Sequence, residues 1–195
     1  MGGLGEDTRA ALMADSIASA ARAQGIEGAD FDRVNRAYAL AMEPRVAALK
    51  DDHHPAYLHP GRSVLILLQN VGPLPGATLA VAAVLESEDE HLRLPVGSAM
   101  DELGEGVAAS LRSIPFPGDG RLTERLIGLE RGLALAALAE RLDHLRHLHL
   151  RADLRDRWTD HHEEVATVWL PFAERTHPKL GTRFAHWART FERRI

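Results

Sequence analysis

The stretch LALAALAERLDHLRHLHLRADLRDR, residues 133–157, decides the reading of this chain. Residues 132–139, GLALAALA, carry no polar side chain, and a helix that is apolar all round is surrounded by other helices. Glu140 follows at once. It stands where such a central helix leaves the core, and a carboxylate buried there needs a partner or a metal. At about 100° per residue, Glu140, Asp143, His144, His147 and Arg151 share one side of the helix, with Leu138, Leu142, Leu145 and Leu148 on the other. A polar face of this kind is ordinarily solvated. That is the expected state of His147 and Arg151, while Glu140 is a candidate functional residue.

The same helical period extends outward in both directions. DTRAALMADSIASAARAQG begins at a capping Asp7 and stops at Gly25, and DFDRVNRAYALAMEPRVAALK carries Pro44 as an expected kink. HPGRSVLILLQNVG opens with His59 and a proline suited to a first helical turn. In TLAVAAVLESEDEH, Thr78 is the expected cap, and the apolar run ends in Glu86, Ser87, Glu88, Asp89 and Glu90. Acids at a helix C-terminus oppose the macrodipole, so either a cation compensates them or they lie in water. A further helix is expected within 97–113, although its glycines weaken it. A long pattern runs from about Arg121 to Arg155, broken near Gly128 or Gly132, and two more segments close the chain. Ala and Leu are abundant and aromatics only 5%, which favours helix. The expectation is an all-α bundle of about eight helices with short loops.

Composition narrows the function. The 195 residues suffice for one core, and the formal charge of -5 argues against binding DNA or an anionic membrane surface. There is no cysteine, so any metal needs His and carboxylate ligands. The apolar runs LAVAAVL and LALAALA fall far short of the roughly 20 residues that span a bilayer. The N-terminus lacks the pattern of a secretory signal, and a cytoplasmic location is expected. DDHHPAYLHPGR adds three histidines within seven residues; His53 and His54 read as loop surface, and His59 as a candidate ligand.

Taken in order, YLHPGRSVLILL, LAVAAVLESEDEH and LALAALAERLDHLRHL resemble the hydrolase domain of the Rel/SpoT family, an all-helical member of the HD superfamily. That domain removes the 3′-pyrophosphate of (p)ppGpp. Its pattern is a His-Pro, a His-Asp pair followed by Glu-Asp, and a helix reading L-A-D-R-L-H-N. The tail HHEEVATVWLPFAERTHPKLGTRFAHWARTFERR is similar to the family's closing helices. The resemblance implies an HD-domain-like bundle over residues 29–195, with 1–28 as an N-terminal helical extension.

It also implies a site. His59 matches the family's first metal-binding histidine, and Glu140 stands for its last metal aspartate. The His-Asp pair falls on Glu86 and Ser87, so the superfamily's defining ligands are missing. A rebuilt set would comprise His59, Glu86, Glu140 and His144, suited to Mn²⁺ or a similar divalent ion. The catalytic Glu-Asp falls on Glu90 and His91 without a gap, or on Glu88 and Asp89 with a slip of two. Lys50 and Arg62 are the substrate contacts the resemblance implies, with a guanine nucleotide such as ppGpp as ligand. Two functions remain open: a protein weak or inactive in hydrolysis that binds a nucleotide or another protein, or an active metal-dependent phosphohydrolase on (p)ppGpp or a related phosphorylated nucleotide. Self-association is a further expectation for a binding module, with Trp158, Trp169 and Trp187 either pairing subunits or packing in the core.

Overall fold

The computed structural model describes residues 9–49 and 51–195. The described residues are all-α, as expected, with no strand. Eleven α-helical segments occur in chain order: α1 Arg9–Ala23, α2 Gly28–Ala48, α3 His59–Asn70, α4 Gly76–Val84, α5 Val96–Leu103, α6 Glu105–Ser113, α7 Leu122–Ile127, α8 Arg131–His147, α9 Trp158–Glu164, α10 Leu170–Thr176 and α11 Pro178–Phe191. A π turn, Val165–Trp169, joins α9 to α10, so these two run on as one helix and ten separate helices result. The excess over eight has a local cause. Gly104, at φ +89°, splits 97–113 into α5 and α6, and Gly128–Glu130 separates α7 from α8.

Helix α8 is the centre of the bundle. Every residue from Ala134 to Leu145 is buried, including Glu140, Arg141, Asp143 and His144. Helices α3, α4, α10 and α11 all pack against it. An all-round apolar helix has no solvent face to offer, so its neighbours must cover it on every side. The small side chains Ala134, Ala136, Ala137 and Ala139 permit that close approach. Helix α1 joins the same core through Ala10, Ile17 and Ala21, and the hydroxyl of Tyr38 on α2 donates to its Ala10 carbonyl at 2.9 Å. Asp7, the expected cap of this helix, lies outside the described residues.

Two sequence expectations need correction because they bear on the site. α4 begins at Gly76 behind Pro75 rather than at a Thr78 cap, and it ends at Val84. Leu85 turns extended, with ψ 127°, so Glu86, Ser87, Glu88 and Asp89 lie in a loop beyond the helix and do not crowd its C-terminus. The macrodipole argument therefore does not apply to them. Loop backbone instead supplies N–H groups for these carboxylates.

The most extensive helix pair is α2 with α4, and it meets closely at Gly76. A Cβ there would stand 2.6 Å from the Cα of Asp30, a backbone atom that cannot swing aside. Gly76→Ala is expected to destabilise the fold by about 1–3 kcal/mol, as overpacking does. Urea unfolding of the variant beside the parent measures this; an unchanged midpoint would contradict the close approach.

Candidate functional site

The polar end of α8 faces the start of α3 and the loop after α4. His59 is the first residue of α3, behind Leu58, with Pro60 at a position that needs no backbone donor. Its side chain is fully buried, and Nδ1 lies 2.9 Å from Asp143 Oδ2. A carboxylate accepts, so Nδ1 donates, and Nε2 of the ring is left buried without a hydrogen-bond partner. Arg62, one turn along α3, donates through Nε to both oxygens of Asp143, at 2.8 and 3.0 Å, and also to the Pro55 carbonyl. Burial raises the Asp143 carboxyl, but His59 and Arg62 outweigh that and hold it well below the usual carboxylate range.

His144 sits beside this group. Its ring stacks on His59 with centroids 4.0 Å apart. Its Nε2 is 3.1 Å from Glu140 Oε1 and 3.2 Å from Glu86 Oε1, and its Nδ1 is 3.4 Å from Glu88 Oε2. Burial by itself would push the imidazolium down. Glu88, Glu86 and Glu140 together overcome it and raise the ring well above its ordinary value, which favours its protonated form. Glu140 also accepts from the Ser87 N–H at 2.8 Å. Glu86 accepts from the N–H groups of Glu88 and Asp89, each at 3.0 Å.

Two fully buried arginines complete the cluster. Arg45 of α2 pairs with Glu86 at 2.6 Å and donates to the carbonyls of Ala41, Ala56 and Leu92. It thereby ties α2, the 51–58 loop and the 86–92 loop to one guanidinium. Arg141 of α8 pairs with Glu88 at 2.6 Å and reaches His161 Nδ1 at 2.9 Å and Glu164 at 3.1 Å. Arg93 fixes the same loop from outside, donating to the carbonyls of Glu86 and Ser87 while lying over the Phe116 ring.

Glu86, Glu88, Glu140, Asp143 and, at the edge, Glu164 supply carboxylates, and Arg45, Arg62 and Arg141 supply the guanidiniums that meet four of them. Glu140 meets His144 instead. Each buried ion costs several kcal/mol in lost hydration, which the ion pairs offset; Nε2 of His59, His144 and His161 and Nε of Arg141 are still buried without a hydrogen-bond partner.

All four expected metal ligands therefore come together, in different states. His59, Glu140 and His144 offer donor atoms within 4.8 Å of one another, a set that can hold a metal ion. Two imidazoles and a carboxylate suit a divalent transition ion, and the bare Nε2 of His59 is the donor most ready for one. Glu86 touches His144 but is already held by Arg45. Of the expected catalytic acids, Glu88 reaches His144, whereas Asp89 caps the turn at Glu90–Leu92 through the His91 N–H and Glu90 is exposed. Arg62 is bound internally, and Lys50 lies outside the described residues.

The crevice above the cluster is lined by Pro55, Ala56, Arg62, Glu88, Asp143, His144, His147 and Arg151. Its volume is about 10 Å³, no more than one water requires. His147 and Arg151, expected in solvent, are half-buried along it: His147 donates to the Asp143 carbonyl at 2.8 Å, and Arg151 pairs with Asp153 at 2.7 Å. Of the tryptophans, Trp169 and Trp187 are buried, and Trp187 donates to the Leu145 carbonyl at 2.7 Å, which bears out core packing for both.

Sequence reasoning did not find Arg45, Arg93, Arg141 or His161. Arg141 was in view between Glu140 and Leu142, but its burial depends on α9. Arg45 lies 41 positions from Glu86, with no local pattern to mark the pairing.

A scan of family models, a search of curated proteins and a search of solved structures each find no match to this chain.

Two outcomes follow from this geometry. Arg45→Met leaves the Glu86 carboxylate buried without its guanidinium, and unfolding in urea is expected to show a loss of about 3–5 kcal/mol. In a Glu86→Gln background the loss should shrink, because the amide can still accept the loop N–H groups; equal losses in both backgrounds would refute the pairing. The second concerns acid. Burial, and then the charge of Arg141, push His161 down to about 4. The unfolded chain therefore binds more protons between the ordinary histidine value and pH 4, so stability falls as pH is lowered through that window. His161→Gln is expected to flatten the stability–pH curve there, leaving the smaller slope from His147 and His177, which are also lowered. An unaltered slope would contradict the assignment.

Proposed function

We propose that this chain is an HD-type domain of the Rel/SpoT hydrolase kind that has lost hydrolysis and works by binding. The observation that carries this reading is that Arg45, Arg62 and Arg141 already pair with Glu86, Asp143 and Glu88, the acids around the position a metal would take. A hydrolase must admit a phosphate ester and a nucleophilic water beside its metal. Here Arg62 and Asp143 shut the His59 side, and the Arg45–Glu86 and Arg141–Glu88 pairs take up carboxylates that a metal would need. Positive charge is supplied from within the chain, by guanidinium groups and the His144 proton.

A guanine nucleotide such as ppGpp is the ligand this reading favours, because the resemblance places one on the face of the crevice. Arg62, His147 and Arg151 line that face and would meet phosphate oxygens if the 51–58 loop opened. The net charge of -5 makes DNA an unsuitable partner. No helix among the described residues is long and apolar enough to cross a membrane.

The second reading is an active phosphohydrolase with a rebuilt metal site, and it rests on the convergence of His59, Glu140 and His144. These three would hold a divalent ion such as Mn²⁺ once His144 gave up its proton. The ion would supply an activated water at neutral pH.

Release of pyrophosphate from ppGpp, measured with Mn²⁺ titrated in, separates the two. The expected result is no metal-dependent turnover while ppGpp still shifts the thermal midpoint upward. Turnover that Glu140→Ala abolishes would overturn the binding reading and establish the rebuilt site.

A further inference from the structure

The opposite end of α8 has a different character. Arg131 begins the helix, nine residues before Glu140 and so about 14 Å away along the axis. It borders an open cavity of about 360 Å³ between the end of α7, the start of α8 and α10. Ile127, Leu129 and Phe172 form an apolar floor, and Ile127 is 55% exposed. Arg131, Ala134, Arg175 and Thr176 complete the lining.

Both arginines are unpaired. Neither makes a hydrogen bond or an ion pair with any described residue, whereas Arg45, Arg62, Arg141 and Arg151 are all held by carboxylates. The acids adjacent in sequence point elsewhere. Glu130 lies against Gly132 on the side of Thr78, and Glu174 lies against Gly181 of α11. The N-cap position of α8, Glu130, makes no side-chain capping bond, so the first amides of a 17-residue helix also face this end uncapped. More positive charge stands close by: burial, and then the charges of Arg131 and Lys179, lower the imidazole of His177 at the head of α11. In a chain of net charge -5, this is a concentration of unbalanced cations beside an uncovered apolar floor.

We propose that this cavity binds a small amphipathic carboxylate, its apolar chain on Ile127, Leu129 and Phe172 and its carboxylate between Arg131 and Arg175. The volume is that of a small-molecule site, and a guanidinium fork suits a carboxylate's paired oxygens, with two such arginines in the lining. A neutral ligand of the same shape would gain the floor but leave the cations unmatched. The site is independent of the cluster at the far end of α8, and so of the HD reading.

Octanoate is the probe, with 1-octanol as its neutral counterpart, titrated into the intact chain and followed by amide chemical shifts. Octanoate is expected to bind about tenfold tighter than octanol, the scale of a hydrogen bond to a charged group. Arg131→Gln and Arg175→Gln should each weaken octanoate severalfold, and the double variant should bring it down to octanol's affinity. Both positions are exposed, so the variants retain the fold. Arg189→Gln, at another exposed arginine, should change nothing. Equal affinity for octanoate and octanol, retention of octanoate binding by the double variant, or shifts confined to other faces would overturn the proposal.

Discussion

The contact of His144 with the carboxylates of Glu86, Glu88 and Glu140 is the constraint on which the polar end of this bundle depends. Three acids in one enclosed volume repel one another, and burial opposes the ionisation of each. An imidazole between them that favours its protonated form, with Arg45 and Arg141 behind, offsets that repulsion. The loop after α4 owes its path to that set. Glu86 and Glu140 take its free N–H groups, while Arg45 and Arg93 take its carbonyls.

The same cluster sets guanidinium-paired acids beside a group of side chains that can hold an ion. The donor atoms of His59, Glu140 and His144 converge closely enough for an ion. Around them, guanidinium groups rooted in α2 and α8 face Glu86 and Glu88, and Arg62 bridges α3 to α8 over Asp143. Such pairs are fixed by the packing of the helices that carry them, so the polar cluster also locks the relative placement of α2, α3, the 86–92 loop and α8.

Much of this was legible in the order of residues. The uninterrupted GLALAALA announced a helix with neighbours on all sides, and Glu140 at its end had to be buried. His59 ahead of a proline marks a helix start, whereas the grouping of His59, Glu86, Glu140 and His144 rests on the family resemblance and not on any local pattern. Less legible were the limits of elements whose pattern is weak. The acids after Val84 carry a plausible helical period, yet the chain turns extended at Leu85 because their backbone and side chains bond within the loop and to α8. His147 and Arg151 were expected in solvent because helical periodicity alone cannot reveal that the 51–58 loop folds over them.

The sequence by itself determined the all-α class, the central place of α8 and the run of its own acid and histidine side chains, Glu140, Asp143 and His144, at its end. These follow from local periodicity and from the rule that apolar surface must be covered. Only the tertiary structure decided which charges neutralise which. Arg45 meets Glu86 across 41 positions, and His59 meets Asp143 across 84. Pairings at that range are set by how helices cross in three dimensions, and no local pattern encodes them. Whether the cluster stands open to a ligand or closed upon itself is decided there, by the side chains that remain unpaired after the helices have packed.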